Sequence, residues 1–486
     1  MFQFLPELNY LLEDLENVIK QGTLCKDIEA VYEKNISKYP KLERYSIVIG
    51  TNDNSKQYFN IDIINLLHKN EFSDGKLKIT TNHQWLDFSN IIYLSKNKRY
   101  TPPVLDPSVA IDTNSMNFID RFYRTSQIND FLRLKIEFNI DMNFLPYMLE
   151  DYLNPYKNQY IKKYKDNTFN YEKEKEIRER KIKHFEIVNN IDKKYFKETG
   201  QIRFDKELLI ANGYDSFEEY FEHKIFYFNN FFNKKDAEVI KLPKNTIFYD
   251  SIKRQEINFI LNKFDLLYGY VLQIIIEKFK GKDTSIEDKI HNILKNMFLN
   301  GQQFTQVLYF AYTYFTKEVE LNINKFFNFD ISWNYDKIVE KAYNITWDIY
   351  LYSLTQDFLT QPMRTINGKP FRADIGMPIF LTEDNKFFSS YIKNHSVQIT
   401  IIDEKSQGRS YNSISNTTYQ DKEFNIYLQT FRDKYPNIEI LKSKRFKMFK
   451  SYNHVYSIYR LFKEKMQNEL KNYLNNFQKK QKKKEV

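Results

Sequence analysis

The stretch Ser251–Phe279, SIKRQEINFILNKFDLLYGYVLQIIIEKF, sets the class of fold. Its apolar side chains recur every three or four residues, the spacing that places them along one side of an α-helix. These residues are Ile257, Ile260, Leu261, Phe264, Leu267, Val271, Ile274 and Ile275. The pattern predicts one long buried helix that ends near Gly281.

Helical patterns continue after this stretch. Thr284 and Glu287 have the spacing of a capping box, in which the hydroxyl accepts from the backbone and the carboxylate reaches back. Further helices are predicted through 307–315 and 338–350, because apolar residues again repeat at helical spacing. Before these two, directly after the capping box, another helical pattern runs through Ile290, Ile293, Leu294, Met297 and Phe298. Residues 246–362 are therefore expected to form an all-α helical core.

Residues 1–165 mix helical and strand patterns, so an N-terminal mixed α/β domain is expected. Two helices are predicted first, the second of them through 28–32. Strands are predicted at 45–49, 77–81 and 91–94, where short apolar runs end in turn residues. The apolar residues of the first helix are Leu8, Leu11, Leu12, Leu15 and Ile19.

The segment Tyr171–Asn190 is dominated by charges of both signs. Opposite charges four residues apart support an exposed helix, and such a helix needs no core of its own. Residues 166–245 are therefore expected to be a charged helical strut or linker between domains. A docking surface for a partner is the alternative.

The sequence pattern changes twice in the C-terminal third. Residues 363–441 contain short segments separated by Pro and Gly, and 397–402 alternates like a strand, so a small β-containing module is expected. Residues 442–486 are expected to be a basic amphipathic helix with a Lys-rich tail. The fold class predicted from all these patterns is α+β and multi-domain, predominantly α-helical with small β-containing modules.

The amino-acid composition reflects the coding DNA as well as the protein. The 486 residues include 37 Tyr and 42 Phe but only 11 Gly and 12 Pro. The abundant residue types have AT-rich codons, so an AT-rich viral or organellar genome is the expected source. Lys and aromatic residues therefore indicate nucleic-acid binding only where their positions add to the argument.

Net charge and cysteine content indicate which kinds of partner and which cellular compartment to expect. The net charge of +10 favours polyanionic partners through long-range attraction. Cys25 is the only cysteine, which excludes an intrachain disulfide and a cysteine-rich metal site. A reducing intracellular compartment is expected, such as a host cytoplasm, a virion or an organelle matrix. Neither secretion, nor a membrane span, nor a small-molecule cofactor is expected.

The strongest signal for binding lies in the basic C-terminal segment. There, Lys and Arg alternate with aromatic residues, so that cations neutralise phosphates while the rings stack on unpaired bases. Codon bias and core packing are the alternative explanation of the same pattern. The predicted nucleic-acid-binding residues are Lys442, Lys444, Arg445, Lys447, Phe449, Lys450, Tyr452, Arg460 and Lys463.

One weaker pattern is typical of enzymes. Asp374, followed later by Asp403 and Lys405 at the end of a predicted strand, has the order of metal-dependent nucleases. The acids would hold Mg²⁺ and the Lys would stabilise the attacked phosphate. Glycine-rich phosphate loops and paired-histidine metal motifs are absent from the sequence.

Three functions remain open at this point. The first is a non-enzymatic, nucleic-acid-associated subunit of a large multi-subunit machine, of the transcription or translation type. The second is a structural component of a virion or other large assembly. The third is the metal-dependent nuclease. An enzyme is less expected than a binding protein, because no catalytic motif in the sequence is decisive.

Overall fold

A computed structural model describes the chain in ranges separated by gaps. These ranges are 6–20, 25–51, 90–94, 96, 109–111, 113–124, 142–154, 171–233, 254–300, 304–317, 323–357, 365–366, 369–370, 379–381, 386, 391, 398–403, 409–415, 422–438, 440–441 and 452–482.

Most of the described residues are helical, as the sequence patterns predict. The helices are α1 (Pro6–Lys20), α2 (Cys25–Lys38), α3 (Thr113–Arg124), α4 (Leu145–Leu153), α5 (Tyr171–Asn189), α6 (Lys193–Thr199), α7 (Lys206–Ala211), α8 (Phe217–Asn233), α9 (Arg254–Phe279), α10 (Ile286–Asn300), α11 (Thr305–Thr316), α12 (Ile323–Phe326), α13 (Tyr335–Asp357), α14 (Lys422–Lys434) and α15 (Tyr452–Lys482). The strands are β1 (Tyr45–Thr51), β2 (Asn90–Leu94), β3 (Val109–Ile111), β4 (Met142–Asn143), β5 (Thr365–Ile366), β6 (Lys369–Pro370), β7 (Ile379–Leu381), β8 (Gln398–Asp403) and β9 (Arg409–Ser415).

Helix α9 confirms the long buried helix predicted from the opening stretch, and its burial goes further than predicted. Every residue from 266 to 277 is buried, so the helix is enclosed on all sides along this length. Helices α10, α11, α13 and α15 pack against it. The ring of Phe264 stacks on Trp347 of α13, with ring centroids 4.4 Å apart. The helices predicted through 307–315 and 338–350 are both present, as α11 and α13.

The predicted capping box is wrong by one residue. Helix α10 begins at Ile286, and the residue before it is Ser285. The backbone N–H of Asp288 donates to the Ser285 hydroxyl at 3.0 Å, and that hydroxyl donates to the Asp288 carboxylate at 2.8 Å. Thr284 adopts an extended conformation one position too early to cap this helix.

The C-terminal helix α15 crosses the central helix α9 at Gly269. A Cβ atom at Gly269 would lie 2.6 Å from the Phe462 ring and 3.5 Å from the Cα of Lys463. Only glycine therefore allows this close an approach. Along the same side of α15, Phe462, Met466 and Leu470 are buried in the shared core. The described part of the predicted basic helix, α15, thus belongs to the main hydrophobic core.

Strands from the two ends of the chain pair with each other. One antiparallel sheet has the order β2-β1-β8-β9, so that Ile47 of β1 lies opposite Ile401 of β8. A second sheet has β3 between β4 and β7, with both pairings parallel. The strands predicted at 45–49, 91–94 and 397–402 are present, whereas 77–81 lies outside the described residues. The domain boundaries at 165 and 363 remain predictions, although strands from both sides of them share these sheets.

The expectation that the charged helix α5 is exposed and without a core is wrong. Ile182, Phe185 and Val188 of α5 are fully buried, and α5 packs against α3. These apolar residues lie three residues apart, close enough to helical periodicity to form a narrow apolar stripe between the charges. The high content of charged residues obscures this stripe in the sequence.

Replacing Gly269 by Ala tests the close crossing of α9 and α15. Alanine raises helix propensity, but its Cβ would collide with Phe462. We expect a net loss of about 1–2 kcal/mol in the free energy of unfolding, measured with urea. A gain in stability would contradict the crossing. Phe462→Leu shortens the opposing side chain, so Gly269→Ala should cost less in that background than in the wild type.

Candidate functional site

Of the nine predicted nucleic-acid-binding residues, three lie in the described part of the chain. Lys442, Lys444, Arg445, Lys447, Phe449 and Lys450 lie outside the described residues. Tyr452 begins α15, while Arg460 and Lys463 lie further along it. The structure therefore places three of the nine predicted residues on one helix.

Both described cations take part in ion pairs. The Nζ of Lys463 lies 2.8 Å from a carboxylate oxygen of Asp265 on α9, and each side chain is about one-fifth exposed. This pair links the two helices beside Gly269. Arg460, one turn earlier, is 67% exposed and contacts Glu464 at 3.3 Å. Lys463 thus holds α15 against the core, and Arg460 is the more accessible cation.

Positive charge accumulates at the far end of α15. The helix is anchored as far as Leu474, which is buried, and by the Tyr473 hydroxyl, which donates to the carbonyl oxygen of Phe279 at 2.7 Å. Beyond this anchor, Lys479 and Lys480 are exposed. The sequence adds Lys482, Lys483 and Lys484. The described end of α15 therefore presents Lys479 and Lys480 beyond the buried part of the helix.

The nuclease candidates are not brought together by the described structure. Asp403 is the last residue of β8, and its backbone lies opposite Tyr45 of β1 and Arg409 of β9. Asp374 and Lys405 lie outside the described residues. Across the ranges that the structure describes, His, Cys, Asp and Glu side chains form no group of three suited to a metal ion.

A charged cluster that the sequence patterns do not predict surrounds Asp120 of α3. The Asp120 carboxylate is 3% exposed and accepts from Arg180 Nε at 3.2 Å and Arg180 Nη2 at 3.1 Å. His184 Nδ1 lies 2.8 Å from the same carboxylate, and Arg124 Nε lies 3.3 Å from it. The ring of Tyr123 stacks on His184, with centroids 4.1 Å apart. One buried acid thus binds two guanidinium groups and an imidazole from α3 and α5.

The surroundings shift the protonation of both central groups. Burial by itself would raise the pKa of Asp120, but hydrogen bonds from Arg180 and His184 outweigh burial, so the pKa lies below its ordinary value. Burial lowers the pKa of His184, and the neighbouring Asp120 offsets only part of this effect. Asp120 is therefore ionised and His184 neutral at pH 7.

A second buried ionic group joins α5 to α8. Lys224 and Glu186 are both almost fully buried and form an ion pair, and the Tyr220 hydroxyl donates to Glu186 at 3.0 Å. Burial lowers the pKa of Lys224, while Glu186 opposes the shift. In the sequence, His184 and Glu186 adjoin the buried apolar residues of α5, which indicates that they lie near the core but does not identify their partners.

Comparisons with known proteins identify no relative. No protein-family model matches the chain, and no curated protein and no solved structure is similar enough to count as a match. In the described part of the chain, no helix has the length and apolar character needed to cross a membrane.

Asp120→Asn tests the charged cluster. It removes the negative charge and replaces one of the two accepting oxygens by an N–H₂ donor that faces other donors. We therefore expect a loss of about 1–3 kcal/mol in the free energy of unfolding at pH 7. The pKa of Asp120 is lowered in the folded state, so its stabilisation is complete above the unfolded value of about 3.9 and is lost as pH falls through the folded value. The wild-type advantage should therefore shrink below about pH 4.

Asp215→Asn, at an exposed position, serves as the control for this variant. Chemical unfolding at several pH values gives both differences. If Asp120→Asn has no larger effect than Asp215→Asn at pH 7, the cluster does not stabilise the fold.

Proposed function

We propose that this protein is a non-enzymatic, nucleic-acid-associated subunit of a large multi-subunit machine of the transcription or translation type. The observation that carries the proposal is the exposure of Lys479 and Lys480 at the end of α15, a helix anchored in the main core as far as Leu474. In the sequence, Lys482, Lys483 and Lys484 follow directly. An anchored helix restricts the positions of Lys479 and Lys480, so less ordering accompanies their contact with a polyanion.

The contact would be mainly electrostatic. Lysines release counterions from the phosphate backbone, which gives affinity that falls steeply with salt and carries little sequence preference. Phe449 and Tyr452, with the cations of 442–450, would add stacking on unpaired bases. Lys463 contributes less directly, because its ammonium group already pairs with Asp265.

Other protein subunits, a reducing compartment and an AT-rich viral or organellar genome belong to the same proposal. They rest on the single cysteine, the composition and the net charge of +10. The multi-domain organisation with a small β-containing module also remains part of the proposal.

Exposed apolar side chains favour a second candidate, a structural component of a virion or other assembly. Ile210, Phe226, Ile426 and Leu461 are each more than half exposed. Large apolar side chains of this kind anchor subunit contacts when a partner covers them. In this alternative the lysines keep the chain soluble and make no specific contribution to nucleic-acid binding.

The test compares three variants that each lose five positive charges by substitution with Gln. The first changes Lys479, Lys480, Lys482, Lys483 and Lys484. The second changes Lys442, Lys444, Arg445, Lys447 and Lys450. The control changes Lys34, Lys41, Lys194, Lys197 and Lys206, all of which are remote in sequence from α15.

Binding to single- and double-stranded DNA and RNA is measured across a salt series. We expect the first variant, the second, or both to flatten the salt slope by about 0.7–0.9 for each phosphate that is no longer neutralised. The control should keep the wild-type slope. Equal slopes for all four proteins would contradict the proposal and leave the assembly component as the better account. Substitutions are preferable to truncation before α15, because truncation would expose the core around Gly269.

A further inference from the structure

The side chains around Asp120 have more hydrogen-bond donors than the Asp120 carboxylate accepts from. Arg124 Nε and Arg180 Nη2 both contact Oδ2 of Asp120, at 3.3 Å and 3.1 Å, so the two guanidinium groups are neighbours. Both Nη atoms of Arg124 and Nη1 of Arg180 make no hydrogen bond or ion pair with the described residues. The two side chains are 50% and 39% exposed, which leaves these donors accessible.

The charges of the cluster leave one positive charge uncompensated. Asp120 carries one negative charge and the two arginines carry two positive charges, while neutral His184 adds none. A surplus positive charge held partly out of water favours an anion, and paired guanidinium groups match the oxygens of a phosphate in particular.

His184 sets a further requirement on that anion. A carboxylate only accepts hydrogen bonds, so the His184 nitrogen next to Asp120, Nδ1, carries the proton. In the neutral ring, Nε2 is then an acceptor, and within the described structure it has no partner. The imidazole is 14% exposed and is held in place by Asp120 and by the stacked ring of Tyr123. An ion that contacts Nε2 as well as the two arginines would therefore need both accepting oxygens and one hydroxyl.

We propose that Arg124, Arg180 and His184 form a binding site for a phosphate group that carries a P–OH, such as hydrogen phosphate. Its charged oxygens accept from the two arginines, and its hydroxyl donates to Nε2 of His184. Asp120 is the positioning residue, since it orients all three side chains from beneath. The site lies on α3 and α5 and does not depend on the proposed contact at α15, so either proposal can fail alone.

Two ions can present this chemistry. Hydrogen phosphate carries the hydroxyl at pH 7, whereas a phosphate monoester, such as the terminal phosphate of a nucleotide, carries it only as the monoanion, below a second pKa of about 6. A phosphodiester lacks the hydroxyl and fits less well. Sulfate at neutral pH has the charge and shape of phosphate but also lacks a proton to donate. Discrimination between phosphate and sulfate is therefore the signature of this site.

Calorimetric titration of the full chain with inorganic phosphate, and with sulfate at matched ionic strength, tests the proposal. We expect the wild type to bind phosphate at least tenfold more tightly than sulfate. Arg124→Gln should weaken phosphate binding at least tenfold, because Arg124 is half-exposed and can be replaced without opening the core. Arg432→Gln removes an exposed charge on α14 and should leave phosphate binding unchanged.

Proton–carbon spectra of the labelled histidines localise the effect. Phosphate should shift the His184 signal in the wild type and in Arg432→Gln, and should not shift it in Arg124→Gln. If Arg124→Gln does not fold, Arg180→Lys keeps a charge near Asp120 while removing the paired donor, and the same loss of binding is expected. A nucleoside 5′-monophosphate is then tested as a competitor. If it binds more tightly than phosphate, the ligand is the monoester; if it binds more weakly, the ligand is the free ion.

Three results would overturn the proposal. They are absence of phosphate binding by the wild type, equal affinity for sulfate and phosphate, and undiminished phosphate binding in Arg124→Gln. A chain that binds phosphate in this way but shows equal salt slopes in the lysine variants would retain the phosphate site and lose the proposed nucleic-acid contact.

Discussion

The close crossing of α9 and α15 at Gly269 organises the main core. It brings Phe462 against the helix backbone and places Lys463 within 2.8 Å of Asp265, a residue 198 positions away in sequence. Helix α9 is buried on all sides between 266 and 277, and α15 supplies one of those sides. The C-terminal helix therefore completes the core, while its last turns extend the lysines beyond it.

A second principle is the use of buried charge to join neighbouring helices. Asp120 and Glu186 are both buried and both have cationic partners on a neighbouring helix, because an unpaired buried charge would be strongly destabilising. The two groups differ in access to solvent. The Lys224–Glu186 pair is enclosed and suits a structural role, whereas the arginines around Asp120 keep exposed donors that can bind an anion.

The sequence predicted the helical part of the fold well, because long apolar periodicity is a strong local signal. Helices α9, α11 and α13 follow from it, as do the opening helix α1 and the strands β1, β2 and β8. The sequence predicted α5 poorly, since its narrow buried stripe is masked by charge. Gly269 was a missed signal, because a glycine within an apolar helix of a glycine-poor chain indicates close packing.

Local sequence patterns do not predict which distant strands and side chains pair with each other. Nothing near Tyr45 indicates that β1 pairs with β8, and nothing near Asp120 indicates that Arg180 and His184 will meet it. Composition and spacing predict a basic binding segment, yet those features do not reveal that Lys463 pairs with Asp265. Packing between distant elements determines which cations form ion pairs of this kind. Such pairs distinguish the cations that stabilise the fold from those that remain available for binding.

Hydrogen–deuterium exchange of the intact chain is the sharpest test of the role of α15. If α15 completes the core, amides in 458–474 should exchange as slowly as those in 264–277, and both sets should become exposed together as denaturant is added. Fast exchange of α15 beside continued protection of α9 would show that the C-terminal helix is a separate appendage. The assignment of α15 to the main core would then be wrong.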